Sequence, residues 1–308
     1  MPPPAPWTTT DIPPLTGKIA LVTGATSGLG YESALALAKA GATIIVGGRN
    51  EEKGKNALNK ILELCPDSKV EFGKVDHCSL KDVGEFAAKI IAKYPCIDIL
   101  INNAGITTPP KREVTEDGFE IVFGTNHLSH FALTAHLLPL LRKSSSPRVV
   151  NMTSLCYRKG RIDFEDLQSE KCSYGFNVYD KSKLANLLFT LELQRKSDAG
   201  GWGLTATSAH PGSSRTEIMA KGQTGLVVWI SRNIFSPLFS QSAADGALPQ
   251  LFAATSPEVK ALDFYGPNGF FELRGTVAPA YLAPAALDEA EAVKLWDISN
   301  KLTRVTWP

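Results

Sequence analysis

This sequence predicts an α/β fold: a doubly wound parallel sheet of about seven strands with helices on both faces. Three observations carry that expectation. Short apolar runs alternate with helically spaced segments along most of the chain. A glycine-rich turn joins the first run to the first helix. The length of 308 residues and the 44% hydrophobic content are enough for a large core. No linker divides the chain, so residues 1–308 are expected to form a single dinucleotide-binding and catalytic domain. Its two irregular parts are a Pro-rich arm at 1–15 and a C-terminal extension.

The elements follow in order. Lys18 to Thr23 is an apolar run fitting a strand buried on both faces. Gly28 to Ala40 has helical spacing and meets a stop signal at Gly41. Thr43 to Val46 is the second strand. Asn50 can cap the next helix, with Glu51 and Glu52 in its first turn and Pro66 closing it. Further strands are expected at Lys69 to Val75, Ile97 to Ile101, Arg148 to Met152 and Leu204 to Ala209. Long helical patterns cover Asp117 to Leu141 and Val178 to Lys196.

Bulk properties exclude several classes. A formal net charge of +1 creates no field that would draw nucleic acid. Cys65, Cys78, Cys96, Cys156 and Cys172 lack CxxC spacing, which argues against a disulfide framework or a zinc site and fits a reducing, cytoplasmic setting. The N-terminus lacks a charged start followed by an apolar run, so no secretory signal is read there. His127, His130 and His136 share a helix without an HExxH pattern, so they are expected to be packed or hydrogen-bonded, and no metal is expected. Ser154 and His210 suggest a hydrolase only weakly, because no GxSxG turn is present.

The cofactor signal is the turn Thr23-Gly24-Ala25-Thr26-Ser27-Gly28-Leu29-Gly30. Glycines at 24, 28 and 30 let the backbone approach a pyrophosphate at a helix N-terminus, where free N–H groups favour an anion. Between a strand and a helix, that turn implies a Rossmann-type dinucleotide site. At the end of the second strand, Gly47-Gly48-Arg49-Asn50 has no acid for a ribose 2′-hydroxyl. Arg49 instead offers a planar cation suited to a 2′-phosphate, so NADP(H) is expected over NAD(H). Asp76, followed by His77, reads either as an acceptor for an adenine amino group or as a turn residue. Asn102-Asn103-Ala104-Gly105 follows the fourth strand; its small residues permit close backbone approach, and its asparagines can tie strand ends together.

The chemical signal is Tyr179 and Lys183, four residues apart on one helix face. Reducing a carbonyl needs a proton donor for the developing alkoxide. A free tyrosine, with a pKa of about 10, exchanges poorly at neutral pH, and a neighbouring ammonium favours its phenolate. Ser154, just past the fifth strand, can hold the substrate oxygen beside it. Asn126 reads as a site residue, a kink in its helix or a satisfied core polar group.

TGATSGLG (23–30), NNAG (102–105), Asn126, Ser154, YxxxK (179–183) and His210-Pro211-Gly212 with Thr216 together resemble the short-chain dehydrogenase/reductase superfamily over nearly the whole chain. The resemblance implies that Tyr179 is the acid/base and that Lys183 lowers its pKa and holds the nicotinamide ribose. It implies that Ser154 orients the carbonyl and that Asn126 anchors a water leading from Lys183 to solvent. Pro211, Gly212 and Thr216 would border the nicotinamide carboxamide. Asn126-His-Leu-Ser-His130, Asp166-Leu-Gln-Ser-Glu170, Ser182-Lys-Leu-Ala-Asn186 and WDISNKLT (296–303) are similar to the retinol dehydrogenase-like branch; Ser129 stands where that branch commonly has glycine. The superfamily often dimerises through the helices carrying Asn126 and Tyr179, so a homodimer is one expectation.

Residues 213–241 fall where the family places its substrate lid, and 226–239 is strongly apolar. Arg232 and Pro237 interrupt that stretch, which is shorter than the roughly 20 residues a spanning helix needs. A lid over an apolar pocket is one reading and peripheral membrane contact the other. Phe264, Tyr265, Phe270 and Phe271 are candidates for the pocket wall. The expected activity is reduction of a bulky hydrophobic ketone or aldehyde. Oxidation of a sterol-like or biosynthetic alcohol, and NADP(H) binding without turnover, are the competing readings.

Overall fold

The computed structural model describes residues 6–214 and 240–308. Eight strands form one sheet in the order β3-β2-β1-β4-β5-β6-β7-β8. They are β1 (Ile19–Thr23), β2 (Thr43–Gly48), β3 (Val70–Lys74), β4 (Ile99–Asn102), β5 (Arg148–Met152), β6 (Thr205–Ala209), β7 (Phe264–Pro267) and β8 (Val277–Pro279). All pairs are parallel except β7 with β8, so the sheet gains an antiparallel edge beyond the expected strands.

Side chains alternate across the sheet, as the period of two requires. Ile45, Leu21, Leu100, Val149 and Ala206 form one in-register row. They face Phe86, Phe131, Leu137 and Phe189. The next row, Val46, Val22, Ile101 and Val150, turns to the other face and meets Leu37, Leu251 and Ala254. Both faces are therefore apolar, which explains why these strands read as continuous hydrophobic runs.

The main helices are α1 (Gly28–Lys39), α2 (Glu51–Leu64), α3 (Leu80–Lys93), α4, α5 (Phe176–Gly200), α6 (Ala243–Thr255) and α7 (Glu289–Thr303). Asn50 caps α2 by accepting the Lys53 N–H, as expected. The segment read as one helix from Asp117 to Leu141 is different. Its helical part, α4, is assembled from Ile121–Phe123, a π-helical turn Gly124–Leu128, and Ser129–Leu141. Asn126 lies in that π turn.

The N-terminal arm is attached to the core. Ile12 and Leu15 are buried, and Trp7 packs edge-on against Phe252. At the other end, α7 and the tail lie over α4 and α5. Trp296 packs against Phe131 and Phe189, and Trp307 stacks on Trp202 at 5.8 Å. His127 in the π turn bonds Ser299 of α7.

Most of the expected lid, together with Thr216, lies outside the described residues. Its base is described: Ser214 bridges Gln241, and the Gln241 N–H donates to Ser213 O at 2.8 Å. Phe264 and Tyr265 are buried in β7 and belong to the core. No helix among the described residues is long and apolar enough to cross a membrane.

Candidate active site

β1 and β4 are neighbours in the sheet, and the chain leaves them toward opposite edges. That divergence opens a crevice at their carboxyl ends. Gly24 and Asn103 sit at its two sides. A Cβ on Gly30 would fall 2.5 Å from Asn103 Nδ2 and 2.6 Å from Gly24 O, so the turn tolerates only glycine there. Side chains cap α2, α3, α6 and α7, each with acidic residues in the first turn. α1 has neither: Ser27 makes no capping bond and no acid follows it. Its N-terminal N–H groups thus face the crevice without a carboxylate to compete for them. This glycine-rich turn with an uncapped helix end fits a pyrophosphate.

Thr23 organises the crevice floor. Its hydroxyl accepts the N–H groups of Asn103 and Ala104, both at 2.9 Å. Both lone pairs are then used, so its proton goes to His130 Nε2 at 3.0 Å. His130 Nδ1–H is left to donate to Asn126 O at 3.1 Å. Asn103 Nδ2 donates to Thr23 O, and Asn102 Nδ2 donates to Asn151 Oδ1. The two asparagines do tie β4 to both of its neighbours.

At the ends of β2 and β3, Arg49 Nη1 lies 3.6 Å from Asp76 Oδ2, with the guanidinium largely exposed. Asp76 Oδ1 accepts the Cys78 N–H at 2.9 Å, a turn bond. His77 turns its ring inward, against Ser129 at 2.9 Å and the His130 ring. Burial lowers its pKa to about 4, so it is neutral.

The chemical residues converge beside this cradle. Lys183 Nζ lies 5.5 Å from the Tyr179 ring centroid. A Cβ on Gly105 would sit 3.2 Å from Asn126 Oδ1 and 3.5 Å from Lys183 Nζ, so these three meet in one place. Asn126 is fully buried. Its Oδ1 accepts the Ile106 N–H at 2.8 Å, and its Nδ2 donates to Ile106 O and Ser182 Oγ. It is at once the kink, the satisfied polar group and the neighbour of Lys183.

Burial pushes the Tyr179 hydroxyl up, with Cys156 adding to this, while the neighbouring Ser154 hydroxyl pulls the other way. Burial also lowers Lys183, to about 8. Its ammonium donates to Met152 O at 3.3 Å. Ser154 caps a short 3₁₀ segment (Leu155–Lys159), its hydroxyl accepting the Cys156 N–H at 3.4 Å.

Sequence reasoning missed Thr23, His130 and Cys156 as parts of the site. Thr23 stands directly before the glycines, so its position was a usable signal. The other two are brought in by the π turn and the 3₁₀ segment, which no local pattern announces.

The match to known proteins agrees with this geometry. The family model for short chain dehydrogenase matches residues 18–226. The chain belongs to the short chain dehydrogenase family. Within it, the chain falls in the retinol dehydrogenase-like branch: it is 38% identical to retinol dehydrogenase 14 of Mus musculus, over 94% of this chain and 86% of that one. It is 37% identical to human polyprenol dehydrogenase, over 81% of this chain and 76% of that one. A solved structure from Mycobacterium paratuberculosis superposes with a TM-score of 0.82 at 37% identity, covering 99% of this chain and 100% of that one. A short chain dehydrogenase from Escherichia coli CFT073, solved with NADPH, superposes with a TM-score of 0.59 at 26% identity, covering 79% and 92%.

Proposed function

We propose that this oxidoreductase uses NADP(H) to interconvert a bulky hydrophobic ketone or aldehyde and its alcohol, working as a reductase. The observation that carries this reading is the meeting of Tyr179, Lys183, Asn126 and Gly105, with Ser154 beside Tyr179. When bound there, the nicotinamide supplies the hydride. The chain supplies the rest. Ser154 holds the carbonyl oxygen, and Tyr179 gives that oxygen its proton. Burial holds the Tyr179 hydroxyl protonated, the form a proton donor needs. Lys183 is the nearby ammonium from which the phenolate regains a proton.

Arg49 supports the phosphorylated cofactor. It is exposed at the end of β2, and the acidic residue beside it, Asp76, is also held by the Cys78 N–H. The apolar substrate is supported by exposed rings at the carboxyl edge of the sheet: Phe176 lies one turn before Tyr179, and Phe270 and Phe271 follow β7. Relatives bear names of long apolar alcohols, retinol and polyprenol.

The test is NADPH oxidation against retinal, steroid ketones, aromatic ketones and long-chain aldehydes, with Tyr179→Phe beside the wild type. Tyr179→Phe is expected to lower kcat at least about a thousandfold while NADPH affinity changes less than about threefold. An active Tyr179→Phe enzyme, or a wild type that binds NADPH but reduces none of these carbonyls, would sink the reading.

A further inference from the structure

The strap between β7 and the approach to α7 holds the two loops that flank the site. It contains two successive non-glycine residues in the left-handed region, Phe271 at φ 49° and Glu272 at φ 58°. Such residues are strained and persist only where the surroundings hold them. Here the turn aims the Glu272 carboxylate inward, to three partners on three segments. Oε2 lies 2.9 Å from His210 Nε2 and 2.8 Å from Arg158 Nη2. Oε1 accepts the Tyr281 N–H at 3.2 Å.

His210 connects this carboxylate to the loop after β6. Its Nδ1 accepts the Gly212 N–H at 3.1 Å, so Nε2 carries the proton and donates to Glu272. The ring is fully buried. The next residue of the strap, Leu273, accepts the Ser213 N–H at 2.7 Å. Gly212 has φ +60°, and a Cβ there would lie 2.4 Å from Leu273 O. Pro211 to Ser213 are thus moulded onto the strap.

Arg158 connects the same carboxylate to the 3₁₀ segment capped by Ser154. Its guanidinium also lies over the Tyr281 ring, at 5.5 Å. The Tyr157 hydroxyl donates to Tyr281 O and accepts the Ala283 N–H. Burial pushes the Glu272 carboxyl up, but the His210, Tyr281 and Arg158 contacts outweigh it and hold the carboxyl below its usual value.

We propose that Glu272 is a positioning residue. Through His210 and Arg158 it fixes the Pro211–Ser213 loop, at the nicotinamide end, against the segment that presents Ser154. It touches neither substrate nor cofactor, and it acts by keeping the two walls at one separation. This rests on the functional reading above, in which the loop borders the nicotinamide. Loosening it should misalign transfer more than it weakens cofactor binding, because the pyrophosphate cradle and Arg49 are untouched.

The experiment compares wild type, Glu272→Gln and Glu272→Ala, using a carbonyl the wild type reduces. The readouts are kcat, NADPH affinity by fluorescence titration, thermal midpoint, and the primary isotope effect with deuterated NADPH. Glu272→Ala is expected to lower kcat by about tenfold or more and raise the isotope effect, with NADPH affinity within about threefold. Glu272→Gln keeps the shape and one acceptor oxygen, so it should lose less activity while showing the same raised isotope effect; it settles the matter if the alanine variant does not fold. A lower thermal midpoint with wild-type kcat per folded site and an unchanged isotope effect would overturn the proposal. A wild type without NADPH-dependent turnover would overturn the functional reading, and this proposal with it.

Discussion

On the proposed function, two side chains govern the site, and each has its own measurable signature. Burial lowers Lys183 to about 8. Its ammonium is present below that pH and lost as pH rises through it. If the ammonium returns the proton to Tyr179, reduction should be constant at neutral pH and fall above about pH 8. Lys183→Arg carries a guanidinium that does not titrate in this range, so its alkaline fall should disappear even though its kcat is lower. A pH–rate profile of both proteins checks this; a wild type flat to pH 10 would refute it. Arg49 is the other. Arg49→Ala should raise KM for NADPH by about tenfold to a hundredfold and leave that for NADH nearly unchanged. Equal changes for both cofactors would remove Arg49 from the 2′-phosphate. Both are candidates the sequence offers by itself, because YxxxK spacing and the absence of an acid after the second strand are local patterns. What the sequence did not reveal was that burial, more than the charge of Lys183, governs Tyr179 before the cofactor arrives.

The π turn in α4 is the element that most alters the reading of the site. An α-helical register was expected through Asn126. The extra residue in the turn Gly124–Leu128 changes which way the Asn126 side chain is delivered, and it meets Gly105 and Lys183. His130 holds that turn, with Nδ1–H on Asn126 O and Nε2 on the Thr23 hydroxyl. Burial, the His77 ring and Lys183 all disfavour a charged ring, so this tautomer persists at neutral pH. The two bonds can be separated by substitution. His130→Asn can still reach Asn126 O but not Thr23, whereas His130→Gln can reach Thr23 but not Asn126 O. The asparagine variant should therefore lose NADPH affinity through the 102–105 loop, and the glutamine variant should lose kcat through Asn126, each by about threefold to tenfold. Titration and steady-state kinetics distinguish them. Identical losses in both variants would reduce His130 to a packing residue.

At the scale of the whole chain, α7 and the tail cover the faces of α4 and α5. Trp296 lies against Phe131 and Phe189, Trp307 packs within 5.2 Å of Phe131, and Ser299 bonds His127. The helices through which the wider family often pairs are here covered by the chain itself. Sedimentation equilibrium at micromolar concentration is therefore expected to show no dimer built on that face, and cross-linking through α4 or α5 should fail. Trp307→Ala should cost about 2–3 kcal/mol and lower the thermal midpoint by several degrees, because a large ring leaves a stacked aromatic cluster. A dimer that Trp307→Ala leaves intact, cross-linked through α5, would show that α7 moves aside.

The sequence by itself determined the class of fold, the glycine turn between β1 and α1, and the one-turn spacing of Tyr179 and Lys183. Short apolar runs, glycines at a strand end and a one-turn spacing are all short-range, so they can be read along the chain. Tertiary structure decided the π turn at Asn126, the antiparallel β8, the inward ring of His77 and the strap that places Glu272 between His210 and Arg158. Each depends on partners far apart in sequence: Glu272 stands 62 residues from His210, and His127 stands 172 from Ser299. Their geometry follows from burying polar groups that must still find hydrogen bonds, a condition that only the packed chain can impose.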